Sequence, residues 1–170
     1  MLQSFGGKQP KVHDSVFLAE GSMLIGDVEV GRDSSIWFHS VIRGDINSIR
    51  IGEMTNIQDL SVLHVTHSDP VIVGARVTVG HRAIIHGAVV EDCCLIGMGA
   101  TLLDGCRIGA CSLVAAGALV LQGTEIPEGV LVAGIPARVR RPLTNDERKM
   151  LEDSASRYVG YARSYRNNPG

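Results

Sequence analysis

Aliphatic residues recur at every sixth position through most of this chain, and that period leaves few folds open. Counted from Ile84, the series runs Ile84, Val90, Ile96, Leu102, Ile108, Val114, Val120, Ile126 and Val132. The position two residues earlier is small at Ala88, Cys94, Ala100, Cys106, Ser112, Ala118 and Thr124. An α-helix needs period 3.6 and a simple strand period 2, so six fits neither. It fits a β-solenoid of short strands, each ending in a corner, with an aliphatic side chain turned inward on every side. The series continues upstream, with breaks, through Ile25-Gly26, Val30-Gly31, Ile36, Ile42, Ile51-Gly52, Ile57, Leu63, Val73-Gly74 and Val79-Gly80. Residues 43–50 and 64–72 exceed one repeat and are expected to bulge outward as loops, while Val79 to Ile84 is a short step. Irregular places in a regular scaffold are where function usually sits.

The repeat stops near Pro136, which divides the chain into a solenoid over 1–136 and a terminal segment over 137–170. The stretch Ala133-Gly-Ile-Pro-Ala-Arg-Val139 reads as an exit loop. A helix should follow. Thr144 and Glu147 form a capping box, and Leu151, Ala155, Tyr158, Val159, Ala162 and Tyr165 follow at helical spacing. Gly160 inside that run costs about 1 kcal/mol relative to alanine. At 170 residues with 4% aromatic and 45% hydrophobic content, the chain has room for one aliphatic-filled domain. A net charge of −2 gives no electrostatic case for nucleic acid. No run of 18 apolar residues suggests a membrane span, and Met1-Leu-Gln-Ser lacks the start of a signal peptide. A cytoplasmic protein is therefore expected. Cys94 and Cys106 fill the small slot of the repeat as core residues. Cys93 and Cys111 should stack one coil above the other, and a cytoplasmic compartment favours their thiols over a disulfide.

Three histidines fall on the grid where chemistry can use them. His64 and His86 are one coil plus a short loop apart, so they should share a face in adjacent coils, about 5 Å apart. That suits two ligands of one metal. His81 lies near the neighbouring corner and should point off a different face, so a second prism packed against the first would have to complete the set. Three imidazoles with no fourth protein ligand describe an open, catalytic metal site. Such a site lowers the pKa of bound water from 15.7 to about 7 and makes hydroxide available near neutral pH. Gln58, expected in the coil below His64, could orient the nucleophile or substrate, and Asn56 could do so at longer range. Asp59 is expected to orient a histidine. His13, His39 and His67 have no such support.

The pattern resembles the left-handed parallel β-helix of the hexapeptide-repeat proteins, in which three six-residue sides make a triangular coil. Roughly six to seven coils stacked at about 4.8 Å would make a prism on the order of 30 Å tall. More closely, Trp37-x-x-x-Val-Ile-Arg43-Gly44-Asp45, Ile51-Gly-x-x-Thr-Asn56-Ile-Gln58-Asp59, His64, His81 and His86 together resemble the γ-class carbonic anhydrase family. That resemblance implies a homotrimer with a metal between subunits, His64 and His86 coming from one chain and His81 from the next. It implies carbon dioxide and bicarbonate as substrates, and an Arg43–Asp45 pair joining subunits beside the site, with a catalytic part second. Imidazole ligands accept zinc, and iron(II) or cobalt also suit them. The chain departs from the well-known type at Ile46, which follows Arg43-Gly-Asp45, and in the loop Val65-Thr-His-Ser-Asp-Pro70, which carries no glutamate. Two other readings stand beside the carbonic anhydrase one: a metal-dependent acyl-CoA thioesterase, and a trimeric scaffold whose metal is structural. A hexapeptide acyltransferase would share the solenoid and the Gly-Ile-Pro-Ala-Arg exit, but would use histidine as a general base.

Overall fold

The computed structural model describes residues 1–167, so the last three positions of the terminal segment lie outside the described residues. The chain winds into a three-walled parallel solenoid closed by one helix. The wall beneath the helix stacks seven parallel strands, Phe17–Leu18, Ser35–Ile36, Asn56–Ile57, Thr78–Val79, Leu95–Ile96, Leu113–Val114 and Val130–Gly134. A second wall stacks Val62–His64, Ile84–His86, Thr101–Leu102 and Leu119–Val120 upon Val41–Ile51. The third stacks Val71–Val73, Val89–Val90, Arg107–Ile108 and Glu125–Ile126 on the far end of that same long strand.

The interior is the aliphatic column set by the repeat. Val79, Val90, Ile96, Leu102, Ile108, Val114, Val120 and Val132 are all fully buried, and Ala88, Cys94, Ala100, Cys106, Ser112 and Ala118 fill the small positions beside them. Two positions of the column differ from expectation. Ile85, not Ile84, points inward, Ile84 being 42% exposed. The short step therefore lies between Ile85 and Val90, because Val79 to Ile85 is a full repeat. Upstream, Leu24 is buried and Ile25 only partly so. Both shifts follow from the strict alternation of side chains along a strand, where one residue of slip reverses every side chain.

The long segment after Ile42 bulges as expected, but over a narrower span, since only Asp45 to Ser48 have no paired residue opposite them. Val41–Ile51 is one continuous strand that rounds a corner, paired with Met23–Val30. Its extra residues are absorbed where the register shifts between Gly26 and Val28. The expected exit loop is a hairpin instead: Ala137–Pro142 returns antiparallel on Val130–Gly134. That pairing covers what would otherwise be a free edge strand.

The helix runs over Asn145–Asn167. Its capping box forms as expected, with the Thr144 amide donating to Glu147 Oε2 at 2.9 Å and the Glu147 amide donating to Thr144 Oγ1 at 3.2 Å. Leu151, Ser154, Ala155, Val159 and Ala162 face the prism. Tyr158 and Tyr165 both pack edge-on against Trp37, at ring separations of 5.4 and 5.3 Å. No helix among the described residues is long and apolar enough to cross a membrane.

Two glycines separate solenoid constraint from helix propensity. At Gly97 a Cβ would stand 2.7 Å from the Val114 carbonyl oxygen and against the backbone of Ala115 and Ala116 in the next coil. At Gly160 a Cβ would meet nothing within 4 Å. Gly97→Ala is therefore expected to destabilise the fold by roughly 2 kcal/mol through overpacking. Gly160→Ala is expected to stabilise it by up to about 1 kcal/mol through helix propensity. Denaturant midpoints of the two variants check the signs.

Candidate metal centre

The coil register carries Arg43, His64 and His86 into one column, since Arg43 pairs His64 and His64 pairs His86 across adjacent parallel strands. The four residues beyond one coil between His64 and His86 are taken up by the Val65–Pro70 loop. Asn47 ties that loop down by donating from Nδ2 to the carbonyls of Thr66 and His67 at 3.1 and 3.2 Å. His64 Nδ1 then lies 3.0 Å from His86 Nε2.

Each of the three histidines meets a carboxylate through one ring nitrogen. His64 Nε2 lies 3.1 Å from Asp45 Oδ1, His86 Nδ1 bonds Asp104 Oδ1, and His81 Nδ1 lies 2.6 Å from Asp59 Oδ2. Such a partner holds the N–H on the nitrogen it touches and leaves the other as a lone pair. With those tautomers, His64 Nδ1 and His86 Nε2 point lone pairs at one another across 3.0 Å. Two lone pairs at that distance repel unless a cation or a proton sits with them. The separation is near the edge, about 3.3 Å, of a tetrahedron with metal–nitrogen bonds of about 2.0–2.1 Å, so the donor set fits a divalent metal.

Burial pushes the proton affinity of His64 below its ordinary value, the Asp45 hydrogen bond opposes this, and the Arg43 cation reinforces it. Burial alone would raise the Asp45 carboxyl, but its hydrogen bonds from Arg43 and His64 hold it below the usual carboxylate range. Arg43 and Asp45 form their ion pair within one chain. Asp59, expected to orient a histidine, contacts His81. Asp104 was not singled out from the sequence, although it stands one coil, 18 residues, beyond His86 and the grid could have found it.

His81 and Gln58 belong to another part of the surface. His81 sits in the turn between Thr78–Val79 and Ile84–His86, so the latter strand separates it from His86 and the two occupy opposite edges of one wall. Gln58 lies in the helix-covered wall beneath Gly80, its amide bonding the Val79 carbonyl, and so accompanies His81 and not His64 as expected. Its side chain donates from Nε2 to Asn56 Oδ1 at 3.0 Å, and Asn56 Nδ2 donates to Thr78 Oγ1 at 3.0 Å. Asn56 is 1% exposed, so it reaches Gln58 and not a substrate. A groove of about 340 Å³ passes Gln58, His81, Met98 and Ser154. Within one chain, no three or more His, Cys, Asp or Glu side chains among the described residues are grouped to hold a metal ion.

The architecture is that of the hexapeptide-repeat left-handed β-helix. The chain is 42% identical to a Bacillus cereus protein described provisionally as an acetyltransferase, with a TM-score of 0.97 over 98% of this chain and 97% of that one. It is 36% identical to a hexapeptide transferase family protein from Anaplasma phagocytophilum, with a TM-score of 0.94 over 97% and 98% of the two chains. Among curated proteins, it is 45% identical to a carbonic anhydrase of Geobacillus kaustophilus over 98% of this chain and 91% of that protein. It is 47% identical to the mitochondrial γ-carbonic anhydrase 1 of Arabidopsis thaliana over 96% of this chain, but spans only 62% of that relative's length. No family model matches the chain. The chain belongs to the γ-carbonic anhydrase family.

The electrostatics of His64 predict its titration in metal-free protein. Its imidazole should titrate below 6.5, the ordinary value, and Arg43→Ala should move it upward by removing a neighbouring cation. Because folding lowers its proton affinity, the unfolded state binds more protons there, and this group's contribution to stability falls as pH drops through 6.5. Nitrogen-15 imidazole spectra across pH 4–8 (roughly two units either side of the ordinary histidine value) check both directions.

Proposed function

We propose that this protein catalyses reversible hydration of carbon dioxide to bicarbonate at a divalent metal shared between two subunits. His64 and His86 of one chain and His81 of a neighbour hold it. The observation that carries the reading is the pair of imidazole nitrogens, His64 Nδ1 and His86 Nε2, facing one another at 3.0 Å with carboxylates behind both rings. His81 has the same carboxylate backing, and its side chain is 43% exposed at the opposite edge of the wall. A second copy packed edge to edge supplies the missing ligand, and a closed ring of three gives every such edge a partner. Zinc, iron(II) or cobalt would suit three imidazoles. When bound, the metal supplies Lewis acidity that lets a water lose its proton near neutral pH.

The chain's own residues do the rest. Burial lowers the proton affinity of His64, which favours the neutral ring and an available lone pair. Asp104 and Asp59 orient His86 and His81. Asn56 engages the Gln58 amide nitrogen, which presents Gln58 Oε1 beside His81 as an acceptor that can orient water. Arg43 stands one coil from His64 in the same column and lowers its proton affinity by its charge, which would also favour an anionic product there. Carbon dioxide and water yield bicarbonate and one proton, and the proton leaves for bulk solvent.

Acyl transfer or acyl-thioester hydrolysis on the same site is the second reading, favoured by the solved relatives described as transferases. A structural metal in a trimeric scaffold is the third. Stopped-flow hydration of carbon dioxide by metal-loaded protein, beside an acyl-CoA panel, separates them. The expected result is hydration that is lost with at least tenfold weaker metal retention in His64→Ala, His81→Ala and His86→Ala (about 1.4 kcal/mol or more). Thioester turnover without hydration would favour the second reading, and retention of metal with neither activity the third.

A further inference from the structure

A second chemically distinct place lies on the corner between the helix-covered wall and the third wall. Arg76, Cys93, Cys111 and Gly129 occupy equivalent corner positions in successive coils, all left-handed, with φ of 56°, 57°, 54° and 69°. Backbone hydrogen bonds lock the stacking: the Cys93 amide donates to the Ala75 carbonyl, Cys111 to Asp92 and Gly129 to Ala110, each at 2.9 Å. Both thiols are free and only partly buried. Cys94 and Cys106, by contrast, are buried, with their thiols pushed up to about 12 by desolvation.

Stacked residues in adjacent coils have Cα atoms about 4.8 Å apart, inside the range of about 4.4–6.8 Å that a disulfide spans. Their matching φ values make the Cα–Cβ bonds nearly parallel. Closure then requires the Cβ atoms to approach by up to about 1 Å, toward the usual separation of about 3.8 Å. A bond closed against such a preference is readily reduced. Two guanidinium groups bracket the pair. Arg76 lies beside Cys93, and Arg148 lays its guanidinium over Gly129, one coil above Cys111. Burial outweighs the Arg76 cation at Cys93 and holds its thiol above the ordinary value, so exchange there should quicken as pH rises.

We propose that Cys93 and Cys111 form a reversible dithiol–disulfide site, a covalent clasp between two successive coils that closes on exchange with a small-molecule disulfide. One thiolate attacks a sulfur of glutathione disulfide, forming a mixed disulfide and releasing one glutathione thiolate. The second cysteine then displaces the remaining glutathione. Two protein thiols are oxidised, and one glutathione disulfide is reduced to two thiols. The clasp stands away from the His64–His86 corner, so it is independent of the proposed reaction.

The test uses the full chain in its native state, equilibrated in buffers of rising glutathione disulfide to glutathione ratio, with thiol counting and peptide mass mapping after acid quench. The expected result is loss of two thiols, a linked Cys93–Cys111 peptide, unmodified Cys94 and Cys106, and full recovery on adding dithiothreitol. Cys111→Ser should stop at a stable mixed disulfide on Cys93. A wild-type protein that keeps all its thiols at the most oxidising ratio would overturn the proposal. So would one that accumulates unresolved glutathione adducts while its circular dichroism stays native.

Discussion

Everything in this molecule depends on the parallel hydrogen bonding that joins each coil to the next in fixed register. Amides reach carbonyls in both neighbouring coils, as Gly97 reaches Val114 at 2.7 Å in the coil beyond and Cys93 reaches Ala75 at 2.9 Å in the coil before, and such bonds hold residues 18 apart in line. The interior then needs only one aliphatic and one small side chain per side, because every coil presents the same cross-section. The aliphatic core forms one cluster from Leu24 to Ala137. A scaffold so rigid places side chains on its outside with the same repeat, and this is how it builds a site without a concave pocket.

The histidines show the consequence. His64 and His86 converge because the solenoid stacks them, at a ring separation of 5.0 Å. Their carboxylate partners come from the same grid: Asp104 one coil beyond His86, and Asp45 from the strand beneath His64. His81 is held by the same grid at the far edge of the wall, with Asp59 behind it. The rigidity that brings His64 and His86 together keeps His81 apart, so on the proposed reading only assembly of copies would complete a three-imidazole set.

Much of this was legible in the sequence because period six is rarely produced by anything else. The coil count, the helix with its capping box, and the placing of His64 beside His86 all follow from spacing alone. Legibility failed where the spacing breaks. Ile84 and Ile85 are both aliphatic, so hydrophobicity cannot choose the inward one, and counting through Ile84 puts the short step one repeat before its place between Ile85 and Val90. The bulge expected over 43–50 is narrower than its length suggests, because Arg43, Gly44, Ile49 and Arg50 stay paired and only Asp45 to Ser48 are extra, opposite the step from Gly26 to Val28. Gln58 was placed with His64 by counting, whereas the corner after Ile57 turns it toward His81. Asp104 went unnoticed because an aspartate at a solenoid corner is common, and only its partner makes it informative.

The central claim is that the site is divided between chains, and mixed assemblies test it most directly. Chains carrying His64→Ala and chains carrying His81→Ala are each expected to lack metal, but a trimer containing both must have one junction with all three ligands intact. Co-refolded His64/His81 mixtures should therefore regain metal in up to one third of the sites of each mixed trimer, a consequence of closed three-fold symmetry. His64/His86 mixtures should stay empty, since both defects fall on the same half-site. Equal recovery in the two mixtures, or none in either despite demonstrated subunit exchange, would contradict a site shared between subunits.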